Sequence, residues 1–286
     1  MNIIFPSQPY TNLKEVDYNF KEEYDVALLL GFIICLFDFD EMMKRKKLVT
    51  TAPKHGSRTR YIYRGWQMKT EDYDEFDCEL SEQKNIFLLN DYFDYKDFHL
   101  YKFIYNKLTN KFQRSWIFDD YFINGKNDSG NMISDIKISL SNLTNIDNFF
   151  IKDFVKSEAD ILKIENNKFT IEENVYKFIY LRSNSYERGI VLKEWSDDVK
   201  EERRYFVYDD KTVISNDFDG LYTQFVQQAA IELRVSVGEP ISFYSMDVAK
   251  VNGEVKIIEV GDGQVSSLKG IDAKNFYKML LIQNFN

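Results

Sequence analysis

The chain has 286 residues, a net charge of −9 and 44% hydrophobic residues. That length suits one large or two modest domains, the apolar fraction supplies a packed core, and the acidic balance argues against a broad nucleic-acid-binding face. Two cysteines outside any C-x-x-C pair, with only two histidines, exclude a disulfide framework and a zinc site; this fits a reducing cytosol and a cytoplasmic protein.

The first residues read as a strand and lack the basic segment of a signal peptide. The longest apolar run, residues 26–37, holds 12 residues with Gly31 inside, short of the roughly 20 that a membrane span needs. In chain order, residues 2–5 and 33–37 predict apolar strands. Between them Phe20, Tyr24, Ala27 and Leu28 recur at helical spacing, and Gly31 supplies a stop. Residues 61–64 and 86–90 predict further strands, and Thr70 is placed to cap a helix with Glu71 and Asp72 in its first turn. Strands alternating with helices predict a small α/β layer with a mostly parallel sheet. Residues 124–130 read as a loop, with Ser129 capping a helix to about residue 140. The last half is richer in strands, at residues 149–155, 189–195, 204–208, 213–215, 241–251 and 254–260. Helices are expected at about 171–182, at about 221–234, and after Asp272. Two parts follow from this pattern: an N-terminal α/β domain, residues 1–115, and a mixed α+β domain, residues 116–286.

Charge is unevenly spread. Residues 44–69 hold nine Lys or Arg and no Asp or Glu, with Tyr61, Tyr63 and Trp66 interleaved. Such a field attracts anions, or it is a solvated basic loop.

Four motifs carry chemistry. Lys152 and Lys156 lie four residues apart, on one side of a strand or one face of a helix. Two adjacent cations favour an anion between them, and a polyphosphate fits that need. Next, the apolar run from Gly189 ends in Lys193-Glu194-Trp195, where an adenine ring could lie against apolar side chains while backbone groups read its edge. Third, Asp247 and Glu259 sit in two strands joined through Asn252-Gly253, a hairpin signal. Magnesium needs converging carboxylates, and strict alternation puts both acids on one face only if the loop is odd. The sequence therefore predicts a three- or five-residue loop with Gly253 as a bulge. Last, Gly261-Asp262-Gly263 follows the second acid and lets backbone approach phosphate or metal closely.

In this order, with Arg203-Arg204 before the acid pair, the motifs resemble the ATP-grasp superfamily. Tyr63-Arg64-Gly65-Trp66, the Lys152 to Ser157 segment and the Gly261 to Ser266 segment look like one bacterial and phage-associated clade, named for an arginine and two lysines. The resemblance spans nearly the whole chain. It implies an ATP-grasp fold with an N-terminal pre-ATP-grasp-like domain, and ATP and Mg2+ as cofactors. By this resemblance Lys152 and Lys156 hold nucleotide phosphates, beside Lys193, and Glu194 accepts from the adenine edge with the Trp195 backbone next to it. Arg203 or Arg204 holds the terminal phosphate or the intermediate, and Asp247 and Glu259 hold metal. Relatives place Asn where this chain has Gly261, so Asp262 is the expected substitute ligand. Arg64 is expected to face the second substrate.

The resemblance implies a carboxylate–amine ligase that works through an acyl phosphate. The alternative acceptor is an RNA end, which the basic, aromatic-rich stretch would serve through phosphate contacts and base stacking. The Lys-x-Asp-Gly nucleophile motif of covalent nucleotidyl ligases is missing from the sequence.

Overall fold

The computed structural model describes residues 1–119, 121–123, 126–141, 146–155, 163–182, 186, 189–208, 212–215, 220–237 and 243–282. The chain opens with β1 (Asn2–Pro6), α1 (Lys21–Leu29), β2 (Ile33–Phe37), α2 (Phe39–Arg45), β3 (Thr59–Tyr63), α3 (Thr70–Lys84), β4 (Ile86–Leu88) and α4 (Tyr92–His99). The four strands form a parallel sheet in the order β2-β1-β3-β4. Its central strand, Asn-Ile-Ile-Phe-Pro, is apolar along its length because helices cover both faces. Alternation sends Ile3 and Phe5 to one core and Ile4 to another, where it meets Phe76 and Leu80 of α3. The α/β layer predicted from sequence is therefore present. Gly31 does close α1, at φ 84°. Thr70, however, is the first helical residue and not the cap; it is buried, and its hydroxyl donates to the Glu71 carboxylate.

Next come α5 (Tyr101–Lys107), β5 (Ser115–Asp119), β6 (Tyr121–Ile123), β7 (Lys126–Asp128), α6 (Ser129–Ser141), β8 (Asn148–Asp153), β9 (Lys163–Glu165), α7 (Lys168–Arg182) and β10 (Gly189–Glu194). Here the sheet is antiparallel, in the order β5-β10-β8-β9. Ile151, Ile190 and Leu192 point into a core with Ile136 of α6 and Val175 and Phe178 of α7. By alternation Lys152 and Lys193 are left on the other face.

The chain finishes with β11 (Val199–Tyr208), β12 (Thr212–Ile214), α8 (Gly220–Val237), β13 (Phe243–Val251), β14 (Glu254–Asp262) and α9 (Ala273–Ile282). These strands form a sheet in the order β12-β11-β13-β14. Asp272 caps α9 by accepting from Asn275 N at 2.8 Å.

Two compact units result. The first comprises residues 1–99, 202–248 and 259–286; the second comprises 100–201 and 249–258. The second unit begins at Leu100, ahead of residue 116, and both units take in separated stretches of sequence. Among the described residues, no helix is long and apolar enough to cross a membrane.

Candidate active site

In the second unit, Lys152 of β8 and Lys193 of β10 share one sheet face as a diagonal pair, two residues out of register, because Val191 lies opposite Lys152. Both are buried, and both ammoniums lie over the Tyr101 ring, at 5.1 and 5.5 Å from its centroid. Cation–π attraction to a single ring offsets part of their mutual repulsion. Lys193 Nζ also donates to the Ile258 carbonyl at 3.0 Å. Lys156 lies outside the described residues.

At the end of β10 a cavity of about 540 Å³ opens between Tyr105, Phe112, Gln113, Arg114, Glu194 and Trp195 on one side and the β13–β14 tip on the other. Its volume is in the range of small-molecule sites, and three aromatic side chains share its walls with charged groups, Arg114, Glu194, Glu254 and Lys256. Glu194 N donates to the Arg114 carbonyl at 2.9 Å, and the Glu194 carboxylate meets Arg114 Nε at 3.3 Å. The Trp195 indole donates to Asp197, and Lys163 lies over its ring. Tyr101, Tyr105 and Arg114 come from a stretch that shows no motif in the sequence.

The acid pair lies in the first unit. β13 ends at Val251 and β14 starts at Glu254, so the loop is Asn252-Gly253 alone, with φ of 51° and 83°. Two successive positive φ angles make a type I′ turn, for which Asn-Gly is favoured. The expected three- or five-residue loop is not formed. At the other end of the hairpin, Gly263 N donates to the Phe243 carbonyl at 3.1 Å. Nine residue steps along the second strand, from Glu254 to Gly263, therefore face eight along the first, from Val251 back to Phe243. The extra residue is a β-bulge in β14. Burial locates it: Ile257, Val260 and Asp262 are buried, and Ile258 and Glu259 between them are both half-buried. Past the bulge Ser245 reaches the Gly261 carbonyl at 3.4 Å, which sets Asp247 opposite Glu259 on one face. The bulge thus restores the parity that the tight turn removes.

The two arginines have different partners. Arg204 grips Asp247 with Nε on Oδ1 and Nη2 on Oδ2, both at 2.7 Å. Its neighbour Arg203 points the other way and lies over the Tyr222 ring at 5.0 Å. Burial alone would lower the Arg204 pKa; the bonds and charge of Asp247, then the charge of Glu259, outweigh it and raise it. Lys269, not singled out by the sequence, adds a third contact to Asp247, Nζ to Oδ2 at 3.3 Å, and pairs with Glu202.

Two expected site residues are turned elsewhere. Asp262 sits one alternation step out of phase with Gly261 and is buried, accepting from Asn90 Nδ2 and, at 2.7 Å, from Gln264 N. It does not join Asp247 and Glu259. Arg64 is 1% exposed, donates to both Glu23 oxygens, and donates through Nη1 to the carbonyls of Gly263, Gln264 and Ser266. It fastens the loop that follows β14.

Two carboxylates on one face suit magnesium, which takes one or two carboxylates and completes its shell with water and phosphate oxygens. Among the described residues no three His, Cys, Asp or Glu gather as a protein-only metal cage would require. The donor set thus fits magnesium carried on a nucleotide.

The basic stretch is largely neutralised or covered. Lys44 pairs with Asp40, Arg45 with Glu41, Lys46 with Asp72 and Arg64 with Glu23, while Arg58 and Arg60 lie over Phe87. Tyr61 and Tyr63 are in the core, at 1% and 0% exposure, and the Trp66 indole donates to Asp17. No stacking platform for bases is formed by the two tyrosines.

A parallel α/β layer, an antiparallel sheet with two buried lysines on one face, and a bulged hairpin with an arginine-gripped acid pair are the parts of an ATP-grasp protein. Residues 136–280 match the ATP-grasp domain of family 3 in the clade named for one arginine and two lysines, and the chain belongs to that family. No curated protein sequence matches it. Among solved structures it is similar to the D-cycloserine synthetase DcsG, at 12% identity over 99% of each chain with a TM-score of 0.65. It is also similar to the D-alanine-D-alanine ligase from Coxiella burnetii, at 9% identity over 98% of this chain and 90% of that one, TM-score 0.62. The ATP-grasp ligase PsnB, complexed with minimal precursor, matches at 10% identity over 98% of each chain, TM-score 0.56. Likeness at these identities is a likeness of fold.

Proposed function

We propose that the protein is an ATP- and magnesium-dependent ligase that activates a carboxylate as an acyl phosphate and joins it to an amine. The observation that carries this reading is the shared face of Asp247 and Glu259 with Arg204 bound to the first of them. That arrangement supplies the charge that phosphoryl transfer needs, which is mostly positioning and neutralisation. Family membership and the fold shared with structures of ATP-dependent ligases support it.

In this reading the cavity at the end of β10 takes the adenine, with Glu194 as acceptor for its exocyclic amine and the Trp195 backbone beside it. Base binding then competes with the Arg114–Glu194 pair. Lys152 and Lys193 hold phosphate oxygens as point charges, and Lys156 is a further candidate. Asp247 and Glu259 would hold magnesium, which would neutralise phosphate charge there. A carboxylate oxygen of the first substrate attacks the γ-phosphorus, and the bond to the β-phosphate oxygen breaks to release ADP. The amine then attacks the acyl carbon, phosphate leaves, and the amine gives up a proton. Arg204 is placed to follow the transferred phosphoryl group, since guanidinium pairs with phosphate as it does with carboxylate. Residues 1–115 serve acceptor recognition in this scheme, and residues 116–286 carry most of the nucleotide machinery. Burial of Tyr61 and Tyr63 and pairing of Lys44, Arg45 and Lys46 weigh against an RNA end as acceptor.

Product analysis tests the reading. Incubation with ATP, magnesium and pooled amino acids and short peptides is expected to release ADP and phosphate; AMP and pyrophosphate would replace acyl-phosphate chemistry with adenylation. Lys152→Ala is expected to weaken ATP binding by about 1.5–3 kcal/mol, the usual cost of a lost charge-assisted contact, without unfolding the protein. Calorimetry that finds unchanged affinity in this variant would remove Lys152 from the phosphate site.

A further inference from the structure

We infer that Lys269 is a positioning residue which, together with Arg204, holds the Asp247 carboxylate closed to metal until a nucleotide is present. This rests on the ligase reading above. Asp247 has a side chain only 4% exposed, and cations claim both of its oxygens. Arg204 takes Oδ1 through Nε and Oδ2 through Nη2, and Lys269 takes Oδ2 as well. A bare divalent cation would have to displace two positive groups from a buried acid, against their charge.

A polyphosphate changes that balance. It offers Arg204 a bidentate partner in place of Asp247. Lys269 also has an alternative: its ammonium already bonds the Glu202 carboxylate, so it can leave Asp247 without becoming an unpaired charge. Its backbone is fixed in the left-handed region at φ 48°, in the same loop as Ser267, whose carbonyl accepts from Arg204 Nη1 at 3.0 Å. One loop therefore supplies both a cation for Asp247 and an anchor for the arginine that grips it. The consequence is an order of loading, nucleotide before or with metal, and little metal bound by the protein alone. In thermodynamic terms the nucleotide and the metal are coupled through the cations on Asp247, and such couplings commonly amount to about 5–150-fold in affinity.

Manganese serves as the probe, with protein-bound ion counted by electron paramagnetic resonance and melting curves confirming the fold of each variant. Lys269 has a 44% exposed side chain, so Lys269→Met is expected to fold normally. Without nucleotide, wild type should bind manganese weakly and Lys269→Met about tenfold more tightly, while Lys269→Arg, which keeps the charge, should behave like wild type. With saturating ADP, wild type and Lys269→Met should converge. Equal manganese affinity of wild type and Lys269→Met without nucleotide would overturn the inference, as would wild-type affinity that ADP leaves unchanged. Failure of ADP to bind at all, measured by calorimetry in the same samples, would instead overturn the ligase reading and this inference with it.

Discussion

Arg64→Ala is expected to destabilise the folded protein by about 3–5 kcal/mol, the cost of breaking a buried ion pair by removing one partner. Arg64 Nε and Nη2 bond the two oxygens of Glu23 at 2.8 and 2.9 Å. Its Nη1 serves three carbonyls, of Gly263, Gln264 and Ser266, at 2.8 to 3.1 Å. Tyr277 of α9 adds its hydroxyl to Glu23 at 2.8 Å. Truncation leaves Glu23 with one neutral donor and strips three carbonyls of theirs. Lysine is no substitute, because one ammonium cannot span both the carboxylate and the carbonyl cluster. Urea denaturation with m-values checks the figure. The double variant with Glu23→Gln should lose less than the sum of the two single variants, because the pair acts as a unit. A loss below about 1 kcal/mol for Arg64→Ala would show that the buried contacts are not what secures this loop.

The fold was legible where the sequence repeats its own period. The strand at residues 2–5 and the helix before Gly31 are set by local apolar spacing and one glycine, and both appear within a residue or two of expectation. The acid pair was legible as two carboxylates flanking an Asn-Gly turn, but its geometry was not. Asn-Gly favours a two-residue turn so strongly that the compensating residue moved into the strand, where a β-bulge has no sequence mark at Ile258 and Glu259. Arg64 misled for a related reason: a charged residue in a recognisable motif reads as a site, and only its distant partners, Glu23 and the 263–266 loop, show it to be a clamp. Lys269 and Tyr101 were missed because a lone loop lysine and one tyrosine among 19 give no local signal. Their roles come from tertiary contacts to Asp247 and to the Lys152–Lys193 pair.

Asp262→Asn is expected to shift the pH dependence of stability, by about 3–4 kcal/mol between pH 4 and pH 8. Burial is the main cause: it pushes the Asp262 carboxyl from 3.8 up to about 7, and the bonds from Asn90 and Gln264 N pull it back only in part. Each unit of difference between folded and unfolded pKa is worth about 1.36 kcal/mol. Because the folded-state value is the higher one, the folded protein binds this proton more tightly than the unfolded chain does. The stabilisation is fully present below about pH 4, declines as pH rises through the interval to about 7, and is gone above it. A neutral amide carries no such penalty, so the difference between variant and wild type should move in the variant's favour over that window. Asn90 serves the neutral form as well: its Nδ2, held in place by the Phe243 carbonyl at 2.5 Å, donates equally to the C=O oxygen of a protonated carboxyl or of the side-chain amide that the substitution introduces. Asp77 also titrates near 6 through burial, so the wild-type curve alone mixes two groups. Subtracting the two unfolding curves at each pH removes Asp77, which is common to both proteins. A difference that stays constant within about 0.5 kcal/mol from pH 4 to pH 8 would mean that the Asp262 carboxylate is ionised without cost where it lies, and that the hydrogen bonds from Asn90 and Gln264 fully replace its lost water.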